Sequence, residues 1–484
     1  MNLLHENAAR VTRRQLFGRT ASGLGVAALA TLLGKDTQAA EKAPGQTALP
    51  GLPHFAPKAK RMVYLWQGGG PSHLDLFDPK PTLEKFKMKD LPESVRGTTR
   101  LSTMTANYKA WPVVPAIKPF KKWGQSGLEL STMLPHIGSI ADELCVVRSM
   151  HTEAVNHAPG VTFFLTGAQV PGRPSLGAWL TYGLGSMAAD LPAFVVMTSS
   201  DKGRTCGQLF YDYYWGSGFL PSKYQGTRFR AGGDPVPYLN NPDGVSRDSR
   251  RQLLDGLQDL NRQHLAEYGD PETDTRISQY EMAFKMQTSV PGLLDFKDEP
   301  KHIIDAYGPQ VHEPGTFARH CLIARRLLER GTRFVQLMHS GWDQHGNLYT
   351  QLEKQCEDTD QPSAALVKDL KRLGLLDDTL VVWGGEFGRT PFGQGPAEKP
   401  NGRDHFGRAF SVWMAGGGVK KGHVHGETDE FAWNITKDGV HVHDHQATLL
   451  HLLGIDHTKL TFKYQGRQFR LTDVHGDVVK GVLA

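Results

Sequence analysis

Cysteine is scarce in this chain. Of 484 residues four are cysteines, Cys145, Cys206, Cys321 and Cys356, widely spaced and without a Cys-x-x-Cys pair. That excludes a disulfide scaffold and a cysteine-rich zinc module. Cys145 and Cys321, set in apolar surroundings, read as small core residues. Net charge is low too. Of the formal +5, residues 1–40 hold +3 (Arg10, Arg13, Arg14, Arg19 and Lys35 against Glu6 and Asp36), which leaves +2 for the remainder. Nothing in that balance points to a nucleic-acid partner. No internal repeat and no low-complexity tract is present. What remains is ordinary globular material, 39% hydrophobic and 22% charged, ample for a large buried core.

The first segment is strongly patterned. TRRQLFGR (12–19) precedes the apolar, small-residue run TASGLGVAALATLLG (20–34), which is short for a bilayer span, and Ala39 and Ala40 offer a small-residue cleavage site. Residues 1–40 therefore read as a signal peptide, and the pair Arg13–Arg14 resembles the twin-arginine export signal. The expectation is a protein exported to the periplasm or beyond the cell by the twin-arginine machinery, beginning near residue 40 or 41, with no membrane attachment once the signal is removed. Residues 41–60, rich in Pro, Ala and Gly, read as a linker.

From residue 61 the pattern predicts short buried strands separated by helices. RMVYLWQ (61–67) is a strand that ends in Gly68, Gly69, Gly70 and Pro71. Residues 133–150 read as a short helix leading into a strand, and AFVVMT (193–198) as another strand. ARHCLIARRLLERG (318–331) reads as a helix closed by Gly331, RFVQLMH (333–339) as a buried strand, and DTLVVWG (378–384) as the next. The helical stretch between those two is expected to break at Pro362, with Asp360 as N-cap. Strand, helical crossover and strand imply a parallel pair. FSVWMAGGG (410–418) supplies a further strand and DHQATLLHLLG (444–454) a late helix. Residues 200–300, with YDYYWGSGF and then long polar helical patterns, read as an insertion over one face of the core. The fold class is α/β: a mostly parallel central sheet with helices on both faces and an inserted cap.

Ligands of an open parallel sheet bind beyond the carboxyl ends of its strands. Those ends carry the chemistry here. Ser72, His73 and Asp75 follow 61–67; Asp343 and His345 follow 333–339; Glu386 follows 378–384; Asp404 and His405 precede 410–415. Asp343 and His345, two apart, point the same way in extended chain and can share an ion. Taken alone, HSGWDQHGN (339–347) reads better as a solvated turn than as a metal site; convergence of several strand ends is what favours a metal site. Arg389 is either an anion clamp for a phosphate or sulfate group or a structural arginine.

In order, these elements resemble the alkaline phosphatase superfamily, which includes sulfatases. FVQLMHSGWDQHG, DTLVVWGGEFG and DHFGRAFSVWMAGGG are similar to its metal-binding segments, and HAPGVTFFLTG (157–167) to the sulfatase nucleophile segment. More narrowly, GGGPSHLDLFDPKP, RSMHTEAVNHAPG, GWDQHGN, GGEFGRTP and GRDHFGRAFSVWMAGGG together resemble one family of uncharacterised exported bacterial proteins described as sulfatase-like. The departures from the superfamily pattern are specific. His157 stands where sulfatases have Cys or Ser, Val161 where they have Arg, Glu386 where the superfamily has Asp, and Phe387 where it has His. Glycines replace the paired acids after the first strand and leave Asp75 or His73 as substitutes.

The resemblance implies one metal site of Asp343, His345 and His405, and a second whose candidates are Glu386, His157 and Asp75, for a divalent ion: zinc, calcium, magnesium or manganese. His151 and Asn156 are further candidates; Asp404 is placed to orient His405. His443, His445, His451 and His457 read as ordinary polar or semi-buried histidines. The implied function is a metal-dependent hydrolase of a phosphate or sulfate ester, free or on a glycan, with His157 as ligand or general base. The alternative is a binding protein that kept the fold and lost the nucleophile. A weaker one is a glycan-interacting surface built on the 200–300 insertion.

Overall fold

The computed structural model describes residues 48–199, 210–230, 235–236 and 239–484, without the side chains of Pro271 and Asp274. The expected signal peptide, the first part of the linker and Cys206 lie outside the described residues. Strand β1 (Arg61–Gln67) is the centre of the sheet. Its side chains alternate between two cores: Val63 and Leu65 face one, Met62, Tyr64 and Trp66 the other. Both faces are covered, which is why the strand reads as an unbroken apolar run instead of an alternation.

The other strands of the sheet are β2 (Leu144–His151), β3 (Phe194–Ser199), β4 (Thr227–Phe229), β5 (Phe334–His339) and β6 (Thr379–Gly384). After a hairpin of β7 (Gly388–Gln394) and β8 (Gly402–Phe406) that stands off the sheet, β9 (Phe410–Ala415), β10 (His423–His425) and β11 (Val440–His441) complete it. The spatial order is β10-β2-β9-β6-β1-β5-β3-β4, with β11 also on β2. Pairing is parallel throughout except at β9, which runs against both β2 and β6. The α/β architecture with a mostly parallel sheet is the one the sequence led us to expect.

Helices cover both faces. α1 (His157–Thr166) and α2 (Leu176–Leu184) lie on the Tyr64 face, contributing Phe164 and Trp179 to its core. α3 (Arg247–Tyr268) and α4 (Pro271–Leu294) come from the 200–300 region, and Met286, Val290 and Leu293 of α4 enter the core of the opposite face. α5 (Phe317–Glu329) and α6 (Leu348–Arg372) line that same face, and α7 (Val442–Leu452) returns to the first. Among the described residues no helix is long and apolar enough to cross a membrane. Residues 48–60, expected as linker, run against the body: Leu49 N donates to Gly183 O, His54 N to Gly454 O and Lys58 N to Leu452 O.

Two local expectations are corrected. β5 and β6 are parallel but not neighbours, because β1 lies between them and pairs with both. The chain thus crosses over a strand laid down 270 residues earlier, which no local pattern reveals. Pro362 does not break the helix, which runs unbroken through it as α6. Asp360 is not its N-cap. Its buried carboxylate instead accepts the backbone N–H groups of His136 (2.8 Å) and Ile137 (2.7 Å), at the start of the short helix Pro135–Gly138.

A second buried carboxylate fixes the hairpin. Asp75, in the turn of helix after Gly68–Gly70, is fully buried and forms a two-pronged ion pair with Arg403 of β8: Nε to Oδ2 at 2.8 Å and Nη2 to Oδ1 at 3.1 Å. Ile117 N and the Ser72 hydroxyl also donate to Asp75. Arg403 also donates to the carbonyls of Thr390 and Pro115.

Burial pushes the Asp360 carboxyl up to about 7, against the pull of the Ile137 and His136 N–H groups. A carboxyl that binds its proton more tightly folded than unfolded stabilises the chain fully below its unfolded pKa and loses that contribution as pH rises through its folded pKa. In urea unfolding, the wild type should gain on Asp360→Asn as pH falls from about 8 to about 5; parallel profiles would contradict this. For the ion pair, Asp75→Ala leaves Arg403 buried and uncompensated, and should lower unfolding stability by about 3–5 kcal/mol. A loss near zero would mean that the pair is not formed.

Candidate metal centre

β5 ends in His339, and the chain then turns through Gly341, Trp342, Asp343 and Gln344 to His345. This loop is tied down on two sides. Trp342 N donates to Gly68 O, beyond the end of β1, and Arg403 N and Leu348 N connect it to the hairpin through Gln344 O and Asn401 O. The approach is close enough to require glycine twice. At Gly69 (φ 115°) a Cβ would lie 2.6 Å from Asp343 N, and at Gly402 it would lie 1.9 Å from His345 O. His405 arrives from β8, where a register shift between Arg403 and His405 sends Arg403 to Asp75 and His405 to the loop. Asp404, at that bulge, accepts His405 N (2.7 Å) and the Ser102 hydroxyl, so it orients the backbone of His405 and not its ring. His157 is the first residue of α1, reached by the loop after β2.

These elements bring four side chains together. His157, Asp343, His345 and His405 each offer a donor atom within 4.8 Å of all the others, and they could hold a metal ion. Around Asp343 Oδ1 lie the Nε2 atoms of His345 at 2.8 Å, His157 at 3.1 Å and His405 at 3.2 Å, and Nε2 of His345 is 2.9 Å from Nε2 of His405. Donors to a small divalent ion with bonds of about 2.0–2.2 Å necessarily lie about 3 Å from one another.

The outer nitrogens fix what the inner ones are. Nδ1 of His157 meets Glu386 Oε1 at 2.5 Å, Nδ1 of His345 meets Gln394 Oε1 at 2.6 Å, and Nδ1 of His405 meets Val155 O at 3.0 Å. Each partner is an acceptor, so each Nδ1 carries the proton and each neutral ring turns its Nε2 lone pair inward. Three nitrogen lone pairs and one carboxylate oxygen facing each other can hold a cation between them. An acceptor behind each inward-facing imidazole is also the usual support of a metal-bound histidine. The donor set fits a divalent ion. His157 and His345 are the partly exposed members and Asp343 and His405 the buried ones, so the centre is reached from one side.

The electrostatics follow. With no ion bound and protons on the Nε2 atoms, burial works against the ionised Asp343, but the Arg389 guanidinium and the hydrogen bonds of the three histidines outweigh it and hold the carboxyl well below the usual range. For His157 burial alone lowers the pKa, yet its bonds to Asp343 and Glu386 raise it overall. His405 goes the other way, down to about 4, from burial first and the nearby charges of Arg389 and His157, despite its bond to Asp343.

The other site candidates are placed differently. Glu386 stands behind His157, its Oε1 shared with Gly69 N at 3.0 Å. Arg389 is no open anion clamp: it is buried, bonded to Asp343 Oδ1 at 2.6 Å and to the carbonyls of Gly69, Gly70, Trp342 and Arg403. Asp75 does not reach the cluster, because both of its oxygens are taken by Arg403. His73 is also elsewhere, buried beside Ala432 O and Arg389 N. Asn156 precedes α1 as its N-cap residue, and His151 lies against His441. Gln394 and Val155 O were not anticipated; a glutamine in a hairpin and a backbone carbonyl leave no signal in sequence.

No curated protein sequence matches the chain. Among solved structures, the lipoteichoic acid synthase LtaP from Listeria monocytogenes aligns over 88% of this chain and 76% of its own, with a TM-score of 0.36 and 9% identity. The PsFucS1 sulfatase from Pseudoalteromonas sp. aligns over 83% and 68%, with 0.34 and 14%. The alkaline phosphatase from the Antarctic bacterium TAB5 aligns over 82% and 99%, with 0.32 and 10%. Residues 59–483 match the family described as Protein of unknown function (DUF1501), and the chain belongs to that family.

Proposed function

We propose that the protein is an exported metal-dependent hydrolase of phosphate or sulfate esters, the substrate class implied by its sequence resemblance. The observation that carries the metal dependence is the convergence of three imidazole Nε2 atoms on one carboxylate oxygen, each ring held from behind through Nδ1. Imidazole-rich sets suit zinc, whereas calcium, magnesium and manganese favour oxygen, so zinc is the proposed ion. When bound, such an ion polarises an ester oxygen and acidifies water.

The chain's own residues divide the remaining work. Asp343, His345 and His405 hold the ion. His157, at the accessible side, has its Nδ1 proton bound to Glu386, which leaves Nε2 to take up a proton from an attacking water. Glu386 thus fixes the tautomer of a base. Arg389 keeps Asp343 ionised and in place, a positioning role. No cysteine or serine is required at position 157 in this scheme, and no converted nucleophile either.

A second reading has one specific observation in its favour. Four donors, not three, surround the centre, and a closed set of four is the mark of a structural site.

The two readings separate in one experiment. His345→Ala and Asp343→Ala should each abolish stoichiometric metal in the purified protein, and His157→Ala should retain metal while losing at least about a hundredfold in ester hydrolysis. Metal retained in both ligand variants would refute the centre. A metal-loaded wild type inert across phosphate and sulfate esters would leave the structural reading. Export is tested apart from this: Arg13→Lys with Arg14→Lys should hold the precursor in the cytoplasm, and normal processing of that double variant would refute the twin-arginine route.

A further inference from the structure

A second concave site lies on the same edge of the sheet. β11 brings His441 beside His151 at the end of β2, and around it opens a cavity of about 630 Å³ lined by Glu153, Phe163, His441, His443, Arg470 and His475, with Asp444 and Asp477 beside them. The volume is that of an ordinary small-ligand pocket. The buried part is aromatic. Phe163 of α1 meets His443 edge-on at 4.9 Å, and His443 stacks on His475 at 5.3 Å with their planes 13° apart. His443 is 5% exposed and binds Gly167 O through Nε2, while its Nδ1 has no partner among the described residues. A neutral ring in that tautomer presents a buried acceptor lone pair.

The rim is charged in both senses. Glu153, its side chain 63% exposed, meets His441 Nε2 at 2.9 Å, and Asp477 lies opposite. Arg470 bonds the carbonyls of Asp473 and His475. An anion would face Glu153, Asp444 and Asp477, and a bare cation would face Arg470. A hydroxyl-rich neutral ring suits all of them: its O–H groups donate to the carboxylates, its oxygens accept from Arg470, and its apolar face lies on the exposed His475 ring, which the buried His443 and Phe163 back. We infer that this cavity is a sugar-binding subsite.

Its position gives the inference weight. The segment 153–157 touches both sites: Glu153 meets His441, Val155 O holds His405, and His157 enters the metal centre. Phe163 stands six residues along α1 from His157, a rise of about 9 Å. Resting on the hydrolase reading, the pocket makes the substrate an ester carried on a glycan, with one sugar ring held beside the reacting group. Binding itself does not depend on that reading.

Isothermal titration of the full-length, metal-loaded protein with neutral and sulfated trisaccharides of glucose, galactose and N-acetylglucosamine tests it. Inorganic phosphate and calcium are run alongside. At least one trisaccharide should bind saturably, and Glu153→Gln and His475→Ala, both at exposed positions, should each weaken it about tenfold while bound metal stays unchanged. No trisaccharide binding, binding indifferent to both variants, or phosphate or calcium bound with that dependence overturns the inference. Ester hydrolysis and metal content, read on the same preparations, report separately on the hydrolase.

Discussion

The bond between Arg389 and Asp343 is what the rest of the centre depends on. A carboxylate this buried would not ionise unaided, and without its charge three imidazoles would have no reason to converge on it. The same guanidinium reaches the carbonyls of Gly69, Gly70, Trp342 and Arg403. It therefore ties the ends of β1 and β5 to both strands of the hairpin. One side chain supplies the counter-charge and holds the loops that carry the ligands. Five donors in a fixed planar fork allow this, and lysine could not reproduce it.

A second, independent pair carries the load one layer further out. Asp75 and Arg403 lock the turn after β1 to β8, two residues before His405. The two arginines cross over: each is bound to an acid from a different loop, and Arg389 also donates from Nη1 to the carbonyl of Arg403. The proposed metal ligands thus sit on backbone held from several directions, which keeps donor atoms about 3 Å apart without a rigid helix or strand beneath every one of them.

Much of this was legible in the sequence. Strands β1, β3, β5, β6 and β9 show as apolar runs because both faces of the sheet are buried, and the placing of Asp343, His345 and His405 follows from the rule that ligands gather at strand ends. Other features needed three dimensions. Arg389 and Asp75 are each the right residue type for a site, and only their partners decide that one positions a ligand and the other braces a hairpin. Nothing local says that β1 separates β5 from β6. His443 reads in sequence as an ordinary semi-buried histidine; that it backs the exposed His475 ring depends on Gly167 and His475, remote from it in sequence.

The place of β1 also bears on how the chain comes to be folded. Its two neighbours in the sheet, Phe334–His339 and Thr379–Gly384, are synthesised after more than half of the chain has been made. Until then its apolar side chains have neither a strand on either side nor the α5 and α6 helices to cover them. Contacts that span so much sequence form slowly, since a large loop must close before any pairing compensates for its entropy. The centre of the sheet therefore assembles only once residues 334–384 have joined β1.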